Sequence, residues 1–247
     1  MKALHASAVL LFLCWMSSPA TARSARLVPD LQPIGVTHSG ALEFSDTLAR
    51  MHPNGGEARL LVTVRADGEV TEWLITGYTA PAFRSETVAA LKDLKFSPAR
   101  LKGEPITART EIVLHFEAHG ILVSTSSPME AFNVSNHSGF DQGDHYRAFP
   151  IGGLDRVPKA LQIVRPIYPK ELADQGVKGT VTVDFYIDEQ GAVKMPSVLE
   201  QEPFALANAA VNAIRQWRFE SPIRRGKPAL AHVQQVFNFG SEGASAR

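Results

Sequence analysis

Arg165-Pro-Ile-Tyr-Pro169, Gly179-Thr-Val-Thr-Val-Asp-Phe-Tyr-Ile-Asp188, Gly191-Ala-Val-Lys194 and Trp217-Arg-Phe219 together decide how this chain folds. Val181, Val183, Phe185 and Ile187 alternate with Thr182, Asp184 and Tyr186, the period-two pattern of a half-buried strand. Asp188-Glu-Gln-Gly191 reads as a turn and Val193 to Leu199 as the return strand, with Pro196 marking an edge or a bulge. Pro203 opens a helix whose apolar stripe is Phe204, Ala207, Val211 and Ile214, widened by Ala210 and Trp217. Ala229, Ala231, Val233, Phe237 and Phe239 share one face of a final strand. Ahead of all this, Pro169 starts a short helix, Lys170 to Gln175, that Gly176 stops.

An upstream segment repeats the pattern. Ala58, Leu60, Val62 and Val64 alternate, Asp67-Gly68 signals a hairpin, and Val70 to Ile75 returns. Pro81 opens a helix with Val88, Leu91 and Leu94 on one face. Ile106, Ala108, Ile112, Leu114 and Phe116 then share a strand face opposite Thr107, Arg109, Glu111 and His115. Gly68 and Gly191 stand 123 positions apart, and the same offset pairs Phe96 with Phe219, Gly103 with Gly226, Pro105 with Pro228 and Phe116 with Phe239. A tandem duplication is the simplest reading. The expected fold is α+β: two tandem small lobes, each a three-stranded antiparallel sheet with a helix packed on one face, in the order strand, strand, helix, strand.

The remaining stretches carry less pattern. Residues 119–153 hold Ser124-Thr-Ser-Ser-Pro128 and several glycines, which reads as a linker. His137, Asp141, Asp144 and His145 within it match no metal-ligand spacing, and turn formation accounts for them equally well. Lys2, the apolar run Ala3 to Met16 and Ala20-Thr-Ala22 form a secretory signal peptide, residues 1–22. The run is shorter than the roughly 20 residues a spanning helix needs. Left uncleaved, the same run is the alternative of an inner-membrane anchor. The one cysteine, Cys14, falls inside it, so the mature chain is expected to lack disulfides and thiol chemistry. Formal net charge is zero, which argues against nucleic acid as the partner.

With Gly176, Asp188, Ala209-Ala210, Pro222, Gly226-Lys-Pro228 and the lead-in Leu154-Asp-Arg-Val-Pro158, the quoted motifs resemble the C-terminal domain of the TonB family of periplasmic energy transducers. The resemblance covers residues 154–240. It makes residues 23–118, which keep Lys95-Phe-Ser-Pro98 but lack Tyr-Pro and Trp, a degenerate copy, and leaves 241–247 as a tail. It implies binding to a short extended segment of a protein partner, such as the plug of a TonB-dependent outer-membrane transporter or an envelope complex, in the service of transport. The chain departs from the full-length pattern in its cleavable signal and in having no long Pro/Lys/Glu spacer. A periplasmic relative is therefore expected, or alternatively a structural or assembly adaptor that is not energy-coupled.

Sheet chemistry points to how such a partner binds. A three-stranded sheet leaves edge amides to which a peptide can add as a strand. Arg109 and Glu111 put outward charge on the last strand of the first lobe, which blunts an edge. The matching stretch of the second lobe carries His232, Gln234, Gln235 and Asn238, making it the expected peptide-binding edge, with Arg165, Tyr168 and Pro169 as further contacts. The Tyr-Pro pair also has a packing role open to it. Arg224, Arg225 and Lys227, in the preceding turn, would attract an acidic segment or be a solvated turn. Free edges also allow a homodimer. Asp184 is expected at the solvent-exposed face. No nucleophile, phosphate-loop, metal-protease or cofactor motif is present, so the reading is a binding protein without cofactor or metal, not an enzyme.

Overall fold

Two glycines make the two hairpins. The computed structural model describes residues 30–38, 42, 44–117, 120–125, 145–198, 204–240 and 243–246. Gly68 (φ 88°) and Gly191 (φ 79°) both sit in the left-handed region. A Cβ on Gly68 would lie 2.7 Å from the carbonyl oxygen of Phe96, and one on Gly191 would strike that of Phe219. Turn glycine and helix-end phenylalanine thus meet in the same way in both lobes, at positions related by the 123-residue offset.

In the first lobe β1 (Leu31–Gln32), β2 (Gly35–His38) and α1 (Asp46–Met51) lead into the hairpin β3 (Gly56–Val64) and β4 (Val70–Tyr78). Helix α2 (Pro81–Asp93) follows, then β5 (Leu94–Ser97), β6 (Ala99–Leu101), β7 (Glu104–Ile106), β8 (Ala108–Glu117) and β9 (Gly120–Thr125). Two short strands, β10 (Tyr146–Arg147) and β11 (Phe149–Pro150), lead into the second lobe. That lobe contains β12 (Ala160–Gln162), α3 (Lys170–Asp174), β13 (Gly179–Ile187), β14 (Val193–Val198), α4 (Phe204–Ile214), β15 (Arg218–Phe219), β16 (Ile223–Arg224), β17 (Lys227–Pro228), β18 (Ala231–Gly240) and β19 (Gly243–Ala246). Residues 1–29, including residues 1–22 that read as a signal peptide, lie outside the described residues. Among the described residues no helix is long and apolar enough to cross a membrane.

The α+β class holds, but the sheets are wider than three strands. The first runs β10-β4-β3-β8-β9 and the second β11-β18-β13-β14, with β19 also against β18. The extra strands come from stretches that compose like a linker and a tail: Gly120–Thr125 and Tyr146–Arg147 extend the first sheet, and Phe149–Pro150 and Gly243–Ala246 the second. Pro196 sits at both an edge and a bulge. The β13–β14 register shifts between Asp184 and Tyr186, and Met195 takes a φ of 50°.

The longer helix of each lobe, α2 or α4, covers one sheet face. Phe83 of α2 stacks on Phe116 at 4.6 Å above Ala58 and Leu114. On the second sheet, α4 seals Val181, Val183 and Phe185 through Leu206, Ala210 and Ile214. Its buried stripe is Leu206, Ala210, Ala213 and Ile214, spaced i, i+4, i+7, i+8, and Phe204 is 79% exposed rather than part of it. The helix begins at Phe204, and burying Leu206 turns that first residue outward.

The opposite faces of the two sheets meet each other. Leu61, Ala148, Tyr186, Met195 and Leu230 form a buried apolar cluster with Leu74 and Tyr146 packed against it, drawing on both sheets and on the segment between them. The layers therefore run helix, sheet, sheet, helix. Trp217 anchors the second outer layer. It is buried, donates its indole N–H to the Val164 carbonyl over 2.8 Å, and meets Phe237 edge-on at 5.8 Å. Trp217→Ala is expected to cost about 3–5 kcal/mol in urea denaturation; an unchanged midpoint would show that the ring is not part of the core.

Candidate functional site

β18 is not the bare edge expected of the final strand. On one side it pairs with β13 along its whole length, from Gly179↔Phe239 to Ile187↔Ala231. On the other side Phe149 and Pro150 lie parallel to Ala231 and His232, and Gly243–Ala246 lies antiparallel to Phe237–Gly240. The chain itself takes up both ends of that side. No described strand lies between them.

The side chains expected to receive a peptide are also engaged. His232 Nε2 lies 2.6 Å from Asp184 Oδ1, and its ring stacks on Tyr186 at 4.7 Å. Gln234 directs its amide toward the same carboxylate at 3.4 Å, and Gln235 donates to the Val236 carbonyl at 2.9 Å. Asn238 accepts a hydrogen bond from Thr180 at 3.0 Å. Tyr168 donates its hydroxyl to the Val177 carbonyl and meets the Phe239 ring at 5.6 Å, while Pro169 caps α3. Of the lead-in segment, Arg165 is exposed and Ile167 is 84% exposed. His137, Asp141 and Asp144 lie outside the described residues, and His145 holds Nδ1 2.8 Å from the Thr79 carbonyl.

Asp184 is buried, not solvent-facing, because the face it points from is covered by the other lobe. Its Oδ2 is 3.0 Å from Arg109 Nη2, and Arg109 Nη1 donates to the Met195 carbonyl at 2.8 Å. Glu72 accepts the Met195 N–H at 3.0 Å and lies 3.7 Å from Arg215. Side chains of the first lobe thus hold both backbone polar groups of Met195, which removes them from the β14 edge. Glu111 is likewise buried, 3.8 Å from Arg59. Arg109 and Glu111 do not blunt an edge; they fill the junction between the lobes. Burial pushes the Asp184 carboxyl upward, but the His232 hydrogen bond and charge, together with Arg109, more than offset it and hold it below its ordinary value.

The basic turn is also built into the structure. Asp155 accepts the backbone N–H groups of Arg225 and Gly226, each at 2.8 Å, and these bonds hold its carboxyl below the usual range. Arg224 lies over the Phe149 ring at 4.2 Å and donates to the Gly153 carbonyl. Arg224, Arg225 and Lys227 face Tyr78, His145 and Tyr146 of the first lobe across a cleft of about 380 Å³. Tyr146 stacks on Tyr78 at 4.7 Å and donates its hydroxyl to Glu189. Burial, followed by that hydrogen bond, drives the Tyr146 phenol far above its ordinary value.

Residues 164–240 match the family described as Gram-negative bacterial TonB protein C-terminal. The chain is 32% identical over 81 residues to Protein TonB of Vibrio cholerae, covering 32% of this chain and 33% of that protein. It is 33% identical over 95 residues to Protein TonB of Pseudomonas aeruginosa, covering 38% and 28%. The match to Protein TonB of Yersinia enterocolitica is 40% over 65 residues, covering 26% of each chain. The chain thus spans a third or less of the length of these curated relatives.

Because the folded carboxyl of Asp184 lies below its unfolded value of about 3.9, the stability it contributes is present above that pH and lost as pH falls through the folded value. Asp184→Asn is expected to flatten the acid limb of stability below about pH 4, and Arg109→Met to cost about 1.5–3 kcal/mol at neutral pH, because it removes a charge-assisted partner of Asp184 and the donor to the Met195 carbonyl while His232 remains on the carboxylate. Urea titrations across pH would show otherwise if the acid limb of Asp184→Asn matched wild type.

Proposed function

We propose that this chain, which carries a TonB-type C-terminal domain at residues 164–240, is a periplasmic member of an envelope transport system. In this reading it is exported by residues 1–22, works without cofactor or catalysis, and binds an extended segment of a partner protein by strand addition. The outer-membrane transporter plug is the foremost candidate. The likeness to the TonB proteins supports a link to energy-coupled transport, and the alternative, an adaptor that is not energy-coupled, would share the same edge.

The observation that carries this is the unequal cover on the two edges of the second sheet. At β14, Pro196 lacks an N–H, and both backbone groups of Met195 are held by Glu72 and Arg109. That edge is closed from across the lobe junction. At β18 the cover is the two-residue β11 and the four-residue β19. A net hydrogen bond contributes only about 0.5–1.5 kcal/mol, so a longer incoming strand can replace a four-residue one. An entering peptide would pair along Phe237 to Gly240, where β19 now lies, and extend toward Gln235.

Deleting residues 241–247 is expected to tighten binding of synthetic plug peptides from outer-membrane transporters, read by calorimetry, and to move peptide-induced amide shifts onto residues 233–240. Unchanged affinity on deletion, or shifts confined to β14, would contradict strand addition at β18. Capture of an envelope scaffold protein with no plug peptide bound would favour the adaptor.

A further inference from the structure

The cleft between the lobes has a chemistry that strand addition does not use. It is lined by rings: Tyr78 and Tyr146 stack with planes 8° apart, and Phe149 belongs to the same lining. Along one wall stand Arg224, Arg225 and Lys227, the last two exposed. Arg147, outside the lining, lies 5.2 Å from the Phe149 ring. Three cations therefore line this space. Two nearby carboxylates oppose them, and each already has a partner: Glu189 accepts from Tyr146, and Asp155 accepts the N–H groups of Arg225 and Gly226.

We propose that this cleft is a second docking site, taking an acidic, extended peptide of a partner protein. Carboxylates would lie along Arg224, Arg225 and Lys227, and an aromatic side chain would stack on the Tyr78–Tyr146 pair. Arginine forks pair carboxylates bidentately, and an aromatic lining adds ring contact and a cation-π environment. The turn already holds one carboxylate of its own chain, Asp155, through the backbone N–H groups of Arg225 and Gly226. The zero formal net charge leaves no broad positive field for a polyanion such as nucleic acid, so the local cleft must supply the attraction. Because Phe149 and Pro150 pair with Ala231 and His232, the cleft is walled off from the β18 backbone there, and occupying it displaces no strand. The two sites are therefore separable.

The probe is a short fluorescein-labelled peptide of glutamates flanking a tyrosine, with a lysine-for-glutamate counterpart, titrated by anisotropy against the full chain. The glutamate peptide is expected to bind and the lysine peptide not. Arg225→Glu with Lys227→Glu should weaken binding about tenfold or more, the loss of roughly one charge-assisted contact. Lys170→Glu with Lys178→Glu, the same charge change at exposed positions elsewhere, should leave it within about twofold. Tyr78→Ala should weaken binding, with circular dichroism confirming the fold. The proposal is overturned if the wild-type chain fails to bind the glutamate peptide, or if both charge reversals weaken it equally. It is also overturned if anionic phosphatidylglycerol vesicles or a single-stranded oligonucleotide bind through Arg225 and Lys227 while the peptide does not.

Discussion

The ion pair between Arg109 and Asp184 sits where two β-sheets press their second faces together, and the rest of the architecture depends on that apposition. A carboxylate with 1% exposure is costly unless paired, and here the guanidinium comes from the other lobe. The same contact surface buries Leu61, Tyr186, Met195 and Leu230, each side chain of this size contributing about 1.5–3 kcal/mol on burial. Polar groups give the junction its register and apolar ones most of its stability. Met195 shows how tightly the two are joined: a residue with φ of 50° has its N–H and its carbonyl held by two residues of the opposite lobe.

Much of this was legible in the sequence and some was not. The alternation of Val181, Val183, Phe185 and Ile187 located the face under α4, and turn glycines 68 and 191 located both hairpins. Asp184, Arg109 and Glu111 misled, because a charged residue on the polar side of an alternating strand normally faces water. The contrary signal was present. Leu60-Leu61-Val62 and Phe185-Tyr186-Ile187 are unbroken apolar runs, the mark of strands buried on both faces. Phe204 misled for a different reason: it falls on the helical period but at the first residue, where the helix has turned away from the sheet.

The extra strands escaped the sequence because they are short and take their order from neighbours. Phe149-Pro150 and Gly243–Ala246 have no period of their own, yet each lies along β18. Exposed strand edges are hazardous, and natural sheets cover or charge them. Here one edge is closed by the partner lobe and the other is lightly covered by the chain itself. If β18 receives a partner strand as proposed, this cover combines protection when unoccupied with access for a competing strand.

The most direct test of the account is whether the lobes unfold together. Trp73 reports on the first sheet and Trp217 on the second, and each can be followed alone in a chain starting at Arg23 after replacing the other with phenylalanine. If the buried junction makes the lobes one cooperative unit, the tryptophan signal and the far-ultraviolet circular dichroism will trace a single urea transition within each variant. Two separate transitions, with the Trp217 curve unmoved by Arg109→Met, would show that the lobes are independent domains and that the junction does not hold them.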